Sequence, residues 1–352
     1  MSDQIYDNMI AWKDTAPWHN KGFKVDPEST GQEMLKVAKL DFPVVLRALA
    51  MDNGSGIWIP TGLEKCAAVV RGDTGQVFQL ASMGYKPVQN EEIVNFFQEY
   101  CQAGKATMDV VGGIGGGRIV WALAKLGKGA NVNLGGVDKM KGYIVLATSH
   151  DGTLRTIGKA TSIRVVCNNT LMAAIGEKAK AEFRMKHSRK WTPEVAAEAK
   201  KILGLALEQV QQLHEVAEKL SKVSIDDQGR LEFVHRLLNK GESVLEQIVN
   251  DAAPKSGADV LKAAMEQDEE KGDKLTRVGK AILEAMMHSP GADFVTAHNT
   301  MWGALNGFTY WADHSRGRTQ DKRLERSLFD TDGQMKARAI DVAMQMSGVS
   351  AN

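Results

Sequence analysis

The first half of the chain alternates between short apolar runs and turn-forming residues, and several runs place an apolar side chain at every second position. Successive side chains of a strand point to opposite faces, so a period of two predicts strands, and the Gly, Asn and Asp residues between the runs predict tight turns. The pattern therefore predicts an antiparallel meander, with strands near residues 44–49, 56–60, 67–71, 77–80, 106–111 and 118–124.

The central feature of this half is an apolar run at residues 143–147, followed by the sequence SHDG at 149–152. Glycine tolerates the positive φ that a tight turn requires, and a run rich in β-branched residues returns over residues 154–166. These residues predict a hairpin whose tip is the SHDG turn.

The returning run carries three cations and ends in a polar cluster, CNNT at 167–170. We expect Thr170 or Asn169 to cap a helix over the residues that follow, and cations beside a helix N-terminus form an anion site. A hairpin with a solvated charged face explains the cations equally well. The candidate phosphate or base contacts in this segment are Arg155, Lys159, Arg164, Asn168 and Asn169.

Two further loops carry a cation beside glycine or amide groups. Lys86 lies in the segment that ends at Asn90, which we expect to cap a helix over residues 91–100. The loop at 112–117, GGIGGG, precedes Arg118. Its bare backbone amides could approach a phosphate, although a flexible hairpin tip is the alternative, and the loop matches neither a P-loop nor a dinucleotide fingerprint.

From about residue 176 the apolar period becomes that of a helix. Apolar residues at 206, 210, 213, 217 and 220 alternate spacings of 4 and 3, which predicts a helix packed on a neighbour. We therefore expect an α+β protein with crossing helices on an antiparallel meander and a mostly helical C-terminal half. Its predicted parts are residues 1–175, a helical region 176–290 with a charged linker near 251–273, and a C-terminal helical segment 291–352.

The C-terminal segment combines aromatic side chains with a basic run. Helical spacing puts Trp302, Leu305 and Thr309 on one face, and a more polar face follows from Asn306 onward. Aromatic rings for bases and cations for phosphates suit a single-stranded nucleic acid, whereas a core helix with a solvated basic turn is the alternative. The candidate contacts here are Trp302, Tyr310, Arg316 and Arg318.

Composition narrows the class of protein. Lys and Arg number 44 against 43 Asp and Glu, a net charge of +1, so any nucleic-acid contact has to come from a local patch. The three cysteines are widely spaced and the sequence has no apolar run of membrane-spanning length, which predicts a soluble protein of a reducing cytoplasm. The sequence predicts neither a cofactor nor a metal site.

Two other functions stay open. A metal-dependent or hydrolytic enzyme acting on nucleic acid would use His150, Asp151, Asp313 and His314, but adjacent residues point apart and no catalytic motif accompanies them. A protein-interaction factor that modifies a host complex would use the amphipathic helices near residues 203–223. Bound metal would favour the enzyme, and a stoichiometric protein partner without nucleic acid would favour the interaction factor.

Five blocks of sequence resemble the phage- and plasmid-like proteins grouped as the domain of unknown function 932 family. The blocks are APWHNKGFKV near the N-terminus, GYKPVQN, GGGRIVWALAKL, TSHDGTLRTIGKATSIRVVCNNTL and WGALNGFTYWADH. The resemblance covers roughly residues 10 to 345 and implies a setting in phages and other mobile elements, with no settled activity. In outline, the predicted meander is also similar to Rad52- and RecT-like strand-annealing proteins, which is an analogy of fold alone.

Together these observations predict a protein that binds single-stranded DNA as a homo-oligomer and anneals it in phage-type recombination without ATP hydrolysis. Its partners would be single-stranded DNA and recombination proteins of the phage or host, and the membrane would play no part.

Overall fold

The computed structural model describes residues 9–14, 22–56, 58–61, 65–166, 169–172, 182–238, 277–316, 319, 322–323, 325–326 and 331–350. The fold is α+β, with most strands in the N-terminal half and most helices in the C-terminal half, as the sequence predicts. Two compact units are interleaved along the chain. The first comprises Met1–Gly127, Tyr143–Ala160 and Lys180–Ala206, and the second comprises Lys128–Gly142, Thr161–Ala179 and Leu207–Asn352.

The first unit is built around a large sheet that is antiparallel apart from one pair of edge strands. The strands occur in the order β14-β12-β11-β9-β8-β1-β2, and only β1 and β2 run parallel. β11 and β12 each contribute residues to both units. The bounds are β1 Ile10–Trp12, β2 Phe23–Lys24, β8 Ala106–Ile114, β9 Ile119–Leu126, β11 Asp138–Ser149, β12 Thr156–Arg164 and β14 Glu182–Met185.

A smaller sheet of the first unit has β6 in its centre, between β3 and β7. A two-stranded hairpin, β4 with β5, lies between β3 and β6 in the chain, and the predicted strand at 44–49 ends at Arg47, before β4 begins at Ala50. The bounds are β3 Val44–Arg47, β4 Ala50–Asp52, β5 Trp58–Pro60, β6 Cys66–Arg71 and β7 Val77–Ser82.

The glycine loop at 112–117 forms part of the predicted hairpin, with its tip between β8 and β9. Gly115, Gly116 and Gly117 all have positive φ, of 60°, 70° and 88°. A side chain at Gly117 would also meet the ring of Phe42 at 2.5 Å. These glycines are therefore needed for the turn and for close packing.

Three helices flank the strands of the first unit: α1 Gly31–Val37, α2 Asn90–Tyr100 and α3 Pro193–Leu203. A capping box of Thr30 and Glu33, whose spacing is the sequence signature of this motif, begins α1. The prediction that Asn90 caps α2 is wrong, because Gln89 takes the N-cap position. Asn90 lies in the first turn, where its amide donates to the carbonyl oxygen of Leu40 at 2.8 Å.

Among its described residues, the second unit combines two short strands with the five α-helices whose bounds are given below. β10 pairs with the first residues of β11, and β13 pairs with the last residues of β12. Thr170 or Asn169 was predicted to cap a helix through residues 171, 173 and 174, and this is wrong for Asn169, Thr170 and Leu171: they lie in β13, which returns antiparallel to the end of β12. Residues 173 and 174 lie outside the described residues. The bounds are β10 Asn131–Leu134, β13 Asn169–Met172, α4 Ala206–Leu220, α5 Asp227–Leu238, α6 Arg277–His288, α7 Met301–Tyr310 and α8 Thr331–Ser347.

The burial of two helices of this unit tests the faces that the apolar pattern predicts. The five seam residues of α4, at 206, 210, 213, 217 and 220, are all buried, which confirms a helix packed on its neighbours. In α7, every residue from 301 to 309 is buried, so the predicted polar face is not a solvated one. Asn306 on that face donates its amide to the carbonyl oxygen of Trp302 at 2.8 Å.

The predicted linker at 251–273 lies outside the described residues. Among the helices that the structure describes, none combines the length and the apolar character needed to cross a membrane.

Candidate functional site

The SHDG turn closes the hairpin between β11 and β12, as the sequence predicts. Gly152 has a φ of 72°, and the hydroxyl of Ser149 both accepts from the amide of Leu154 at 3.0 Å and donates to its carbonyl oxygen at 2.8 Å. The side chain of Ser149 thereby replaces backbone pairing across the turn. The turn is a fixed structure built from its own short polar residues.

Arg118, which directly precedes β9, forms an ion pair with Asp151 of this turn. Their Nη1 and Oδ2 atoms lie 2.5 Å apart, and the other carboxylate oxygen accepts from the hydroxyl of Thr153 at 2.6 Å. Burial raises the pKa of Asp151, but hydrogen bonds from Thr153 and Arg118 outweigh it, and the pKa is lowered. Asp151 is therefore an ionised partner that holds Arg118 against the turn.

His150 is fully buried behind the turn. Its Nε2 lies 2.8 Å from Oδ1 of Asn90, and the Asn90 amide nitrogen is already committed to Leu40, so Nε2 carries the proton. Burial lowers the pKa of His150 to about 3, and the ring is neutral at pH 7. Its Nδ1 has no hydrogen-bond partner among the described residues.

A second histidine packs beside the same turn. His187 Nε2 lies 2.8 Å from the carbonyl oxygen of Leu154, and its ring stacks on Tyr85 with centroids 5.1 Å apart. The Tyr85 hydroxyl donates to the carbonyl oxygen of Ser149 at 3.2 Å. Burial lowers the pKa of His187 as well. The two histidines and Tyr85 thus hold the tip of the hairpin from behind, within a neutral layer.

The four residues of the enzyme hypothesis are not gathered in one unit. His150 and Asp151 lie in the first unit, whereas Asp313 and His314 lie in a π-helical turn of the second. Asp313 is buried, where it accepts from the backbone amide of Thr170 at 2.8 Å and pairs with the buried ammonium of Lys336. Within the described part of the chain, no group of three or more His, Cys, Asp and Glu residues is arranged to hold a metal ion.

The paired strands β12 and β14 bring exposed cations together on one face. Residues that lie directly opposite each other in an antiparallel pair share a face, and the register joins Ile157 to Arg184 and Lys159 to Glu182. Arg155 and Lys186 lie two residues beyond Ile157 and Arg184, just outside the strands, and the same alternation places them on this face. We call these four cations, Arg155, Lys159, Arg184 and Lys186, the basic strip.

The opposite face of the same two strands belongs to the core. Phe183 and Met185 are 1% and 2% exposed, whereas Arg155, Arg184 and Lys186 are exposed and Lys159 is half-buried. Lys86 extends the basic strip through its backbone amide, which donates to the carbonyl oxygen of His187 at 2.5 Å. Arg184 and Lys186 are not among the residues predicted from the sequence, although the alternation EFRMK at 182–186 is the signal of a strand with one polar face.

Arg164 does not join the basic strip, because its side chain is fully buried in the second unit. Its Nε donates to Asp138 Oδ1 at 2.7 Å, and the second carboxylate oxygen accepts from Trp302 Nε1 at 3.0 Å. Arg164 also donates to the carbonyl oxygen of Gly291 at 3.0 Å. Arg164 and Trp302, both predicted to contact nucleic acid, are thus two donors of one buried network.

The other predicted contacts of the second unit are partly covered or lie outside the described residues. Tyr310 is half-buried and its ring lies 4.5 Å from that of His314. Arg316 packs over the ring of Trp311, with its Cζ atom 5.2 Å from the centroid. Asn168, Arg318 and the side chain of Asn169 lie outside the described residues.

The chain matches the family model described as "Domain of unknown function (DUF932)" over residues 77–331. This match includes the SHDG turn, the basic strip and the buried network around Asp138. No curated protein and no solved structure matches the chain significantly. Because the family match covers most of the chain, this protein belongs to the domain of unknown function 932 family.

Proposed function

We propose that this protein binds single-stranded DNA and that the basic strip is the surface that contacts the phosphates. The observation that carries the proposal is the alternation along β12 and β14, which puts Lys159 and Arg184 on one face together with Arg155 and Lys186 at the adjoining ends of the strands. A line of side chains along a strand ladder offers its charges to successive phosphates of an extended chain. The backbone of Lys86 lies next to this line, through the bond of its amide to His187.

The charge of the basic strip differs from that of the whole protein. Four cations and one carboxylate, Glu182, share the face, which gives 4 − 1 = +3 on a chain whose net charge is +1. Glu182 is paired with Arg184 at 2.7 Å. A local excess of positive charge is the feature that a neutral protein needs in order to attract a polyanion.

Fewer observations support the proposed preference for single strands than support the proposed contact to phosphates. Trp302 is buried, so the proposal does not use it as a stacking platform. Contacts to phosphates by themselves also bind duplex DNA. The resemblance in outline to strand-annealing proteins is what favours the single strand, and the comparison with duplex is therefore part of the test.

The test is fluorescence anisotropy of a labelled single-stranded oligonucleotide over a range of salt concentrations, with a duplex of the same sequence beside it. Four phosphate contacts to a single strand predict a slope of log K against log salt of about −3, because each contact contributes about −0.7. Replacing Arg155 and Lys186 together by Ala should make the slope shallower by about 1.4 and weaken binding.

Arg47→Ala with Lys65→Ala is the matched control, since it removes one exposed Arg and one exposed Lys from elsewhere in the first unit. The control should bind like the wild type. No binding at low salt, or an equal loss in both double variants, would overturn the proposal. Equal affinity for duplex and single strand would keep the basic strip as a nucleic-acid surface and remove the single-strand preference.

The wider role extends the same proposal. Annealing of strands in recombination of a phage or mobile element would need no ATP, and it would need several copies of the chain along one strand. We place this activity in a host cytoplasm, because three widely spaced cysteines suit a reducing compartment.

A further inference from the structure

We propose that the outer edge of β7 pairs with the same strand of a second copy of this chain, across a two-fold axis. β7, Val77–Ser82, is an edge strand of the small sheet and pairs only with β6 among the described residues. Edge strands present unpaired backbone groups, and a strand of another chain can add to them. The inference is independent of DNA binding.

The two edges of the small sheet are treated differently. At the outer edge of β3, the side chain of Gln89 imitates a strand: its Oε1 accepts from the amide of Val44 at 2.9 Å, and its Nε2 donates to the carbonyl oxygen of Val44 at 3.0 Å. Pro43 comes just before β3, and a proline there cannot donate to a further strand. β7 has neither of these two features in the described part of the chain, and a bulge at Phe78 leaves Gln79–Ser82 as its regular edge.

The side chains along β7 are apolar and exposed. Val77 is 56% exposed, Leu80 is 64% exposed, and Met83 just beyond the strand is 51% exposed. The register with β6 puts Val77 and Leu80 on one face, and exposed large apolar side chains on a strand edge mark an interaction surface or an aggregation hazard. Its apolar character also makes it unsuitable for a phosphate backbone.

The absence of charge points to a second copy as the partner. Residues 75–84, GQVFQLASMG, contain no charged side chain. Antiparallel pairing of a strand with itself places each residue opposite a residue of the same strand, so any charge near the axis would meet a like charge. A neutral apolar strand avoids this repulsion, and the two three-stranded sheets would join into one continuous sheet.

The experiment is sedimentation velocity of the full chain over a concentration series. We expect the wild type to sediment as a dimer or as assemblies built from dimers, and Leu80→Glu to dissociate this contact, because two carboxylates would face each other near the axis. Val295→Glu is the control, since Val295 is 74% exposed and lies in the second unit. It should leave the assembly unchanged.

A mixture of Leu80→Glu with Leu80→Lys tests the strand-to-strand contact itself. Each variant alone should be dissociated, and the mixture should form dimers because opposite charges now meet. Circular dichroism of each variant shows whether it is folded, and Val77→Glu is a second variant at the same edge if Leu80→Glu is not. A wild type that stays monomeric, a Leu80→Glu assembly equal to that of the wild type, or a mixture that stays monomeric would overturn the proposal.

Discussion

The Nε2 atom of His150 donates a hydrogen bond to Oδ1 of Asn90 over 2.8 Å, and the Asn90 amide donates in turn to the carbonyl oxygen of Leu40. This chain of two bonds joins the tip of the β11–β12 hairpin to the start of α2 and to the segment before β3. It fixes His150 as a neutral donor in the core. The pair therefore makes the stability of the first unit sensitive to pH.

We predict that the protein loses stability as the pH falls below about 6.5, the ordinary pKa of histidine. The folded pKa of His150 is lowered to about 3, so below pH 6.5 the unfolded chain binds a proton that the folded chain refuses. The unfolding free energy should fall by about 1.4 kcal/mol for each pH unit, until the pH approaches the folded pKa. His214 and His187, whose pKa values are also lowered by burial, add to this slope.

The variant His150→Gln isolates the contribution of one histidine, since the glutamine amide can donate where Nε2 does but does not titrate. The measurement is chemical denaturation at pH 7.5 and pH 5. Between these values the variant should lose about 2 kcal/mol less than the wild type, which corresponds to 1.5 pH units below the ordinary pKa. If the wild type and the variant lost the same unfolding free energy between pH 7.5 and pH 5, His150 would not take up a proton on unfolding.

The second prediction concerns the buried ion pair of Asp138 and Arg164, whose side chains are both 0% exposed. Asp138→Ala leaves Arg164 charged and uncompensated and removes the acceptor of the indole of Trp302, so it should cost about 3–5 kcal/mol of unfolding free energy. Glu198→Ala is the control, because it also removes a carboxylate from an arginine, Arg189, but the side chains of this pair are 47% and 52% exposed. Denaturant titration should give a loss of at most about 1 kcal/mol for the control. Similar losses in both variants would contradict the buried network.

The third prediction concerns Lys336, a fully buried ammonium that pairs with Asp313 and donates to the hydroxyl of Thr170 at 2.6 Å. Lys336→Met should cost about 3–5 kcal/mol, because the carboxylate loses its counter-ion. In Asp313→Leu with Lys336→Met no unpaired charge is left, so the double variant should be more stable than the sum of the two single changes predicts. Additive losses would contradict the coupling, and Lys222→Met, which breaks a pair whose side chains are 71% and 55% exposed, is the exposed control.

The fourth prediction tests the close approach of α6 and α7. A methyl group at Gly307 would lie 2.4 Å from the backbone Cα of Met286, and backbone cannot move aside as a flexible side chain can. Gly307→Ala should therefore cost about 1–3 kcal/mol or more in thermal or denaturant unfolding. At Gly127 nothing lies within 4 Å of the added methyl group, so Gly127→Ala should change the stability little. Equal effects would show that the helices are not in this contact.

Local pattern was sufficient where the determining interaction lies within a few residues. The SHDG turn, the capping box at Thr30 and the glycine tip at 115–117 depend on backbone freedom and on short polar side chains, which are visible in the sequence. The seam of α4 was predicted for the same reason, because helical spacing alone determines which residues share a face. The α+β class follows from the change of period along the chain.

Only the tertiary structure decided which polar residues face solvent. Arg155 directly precedes β12 and Arg164 ends it, and the two look alike in sequence. Arg164 nevertheless meets the buried carboxylate of Asp138, which is 26 residues away, while Arg155 is exposed. Asn90 looks like a helix cap but bonds to His150 and Leu40 instead. The physical reason is that the role of a buried charge or amide depends on hydrogen-bond and ion-pair partners that are distant in sequence. Those partners come together only when the chain folds.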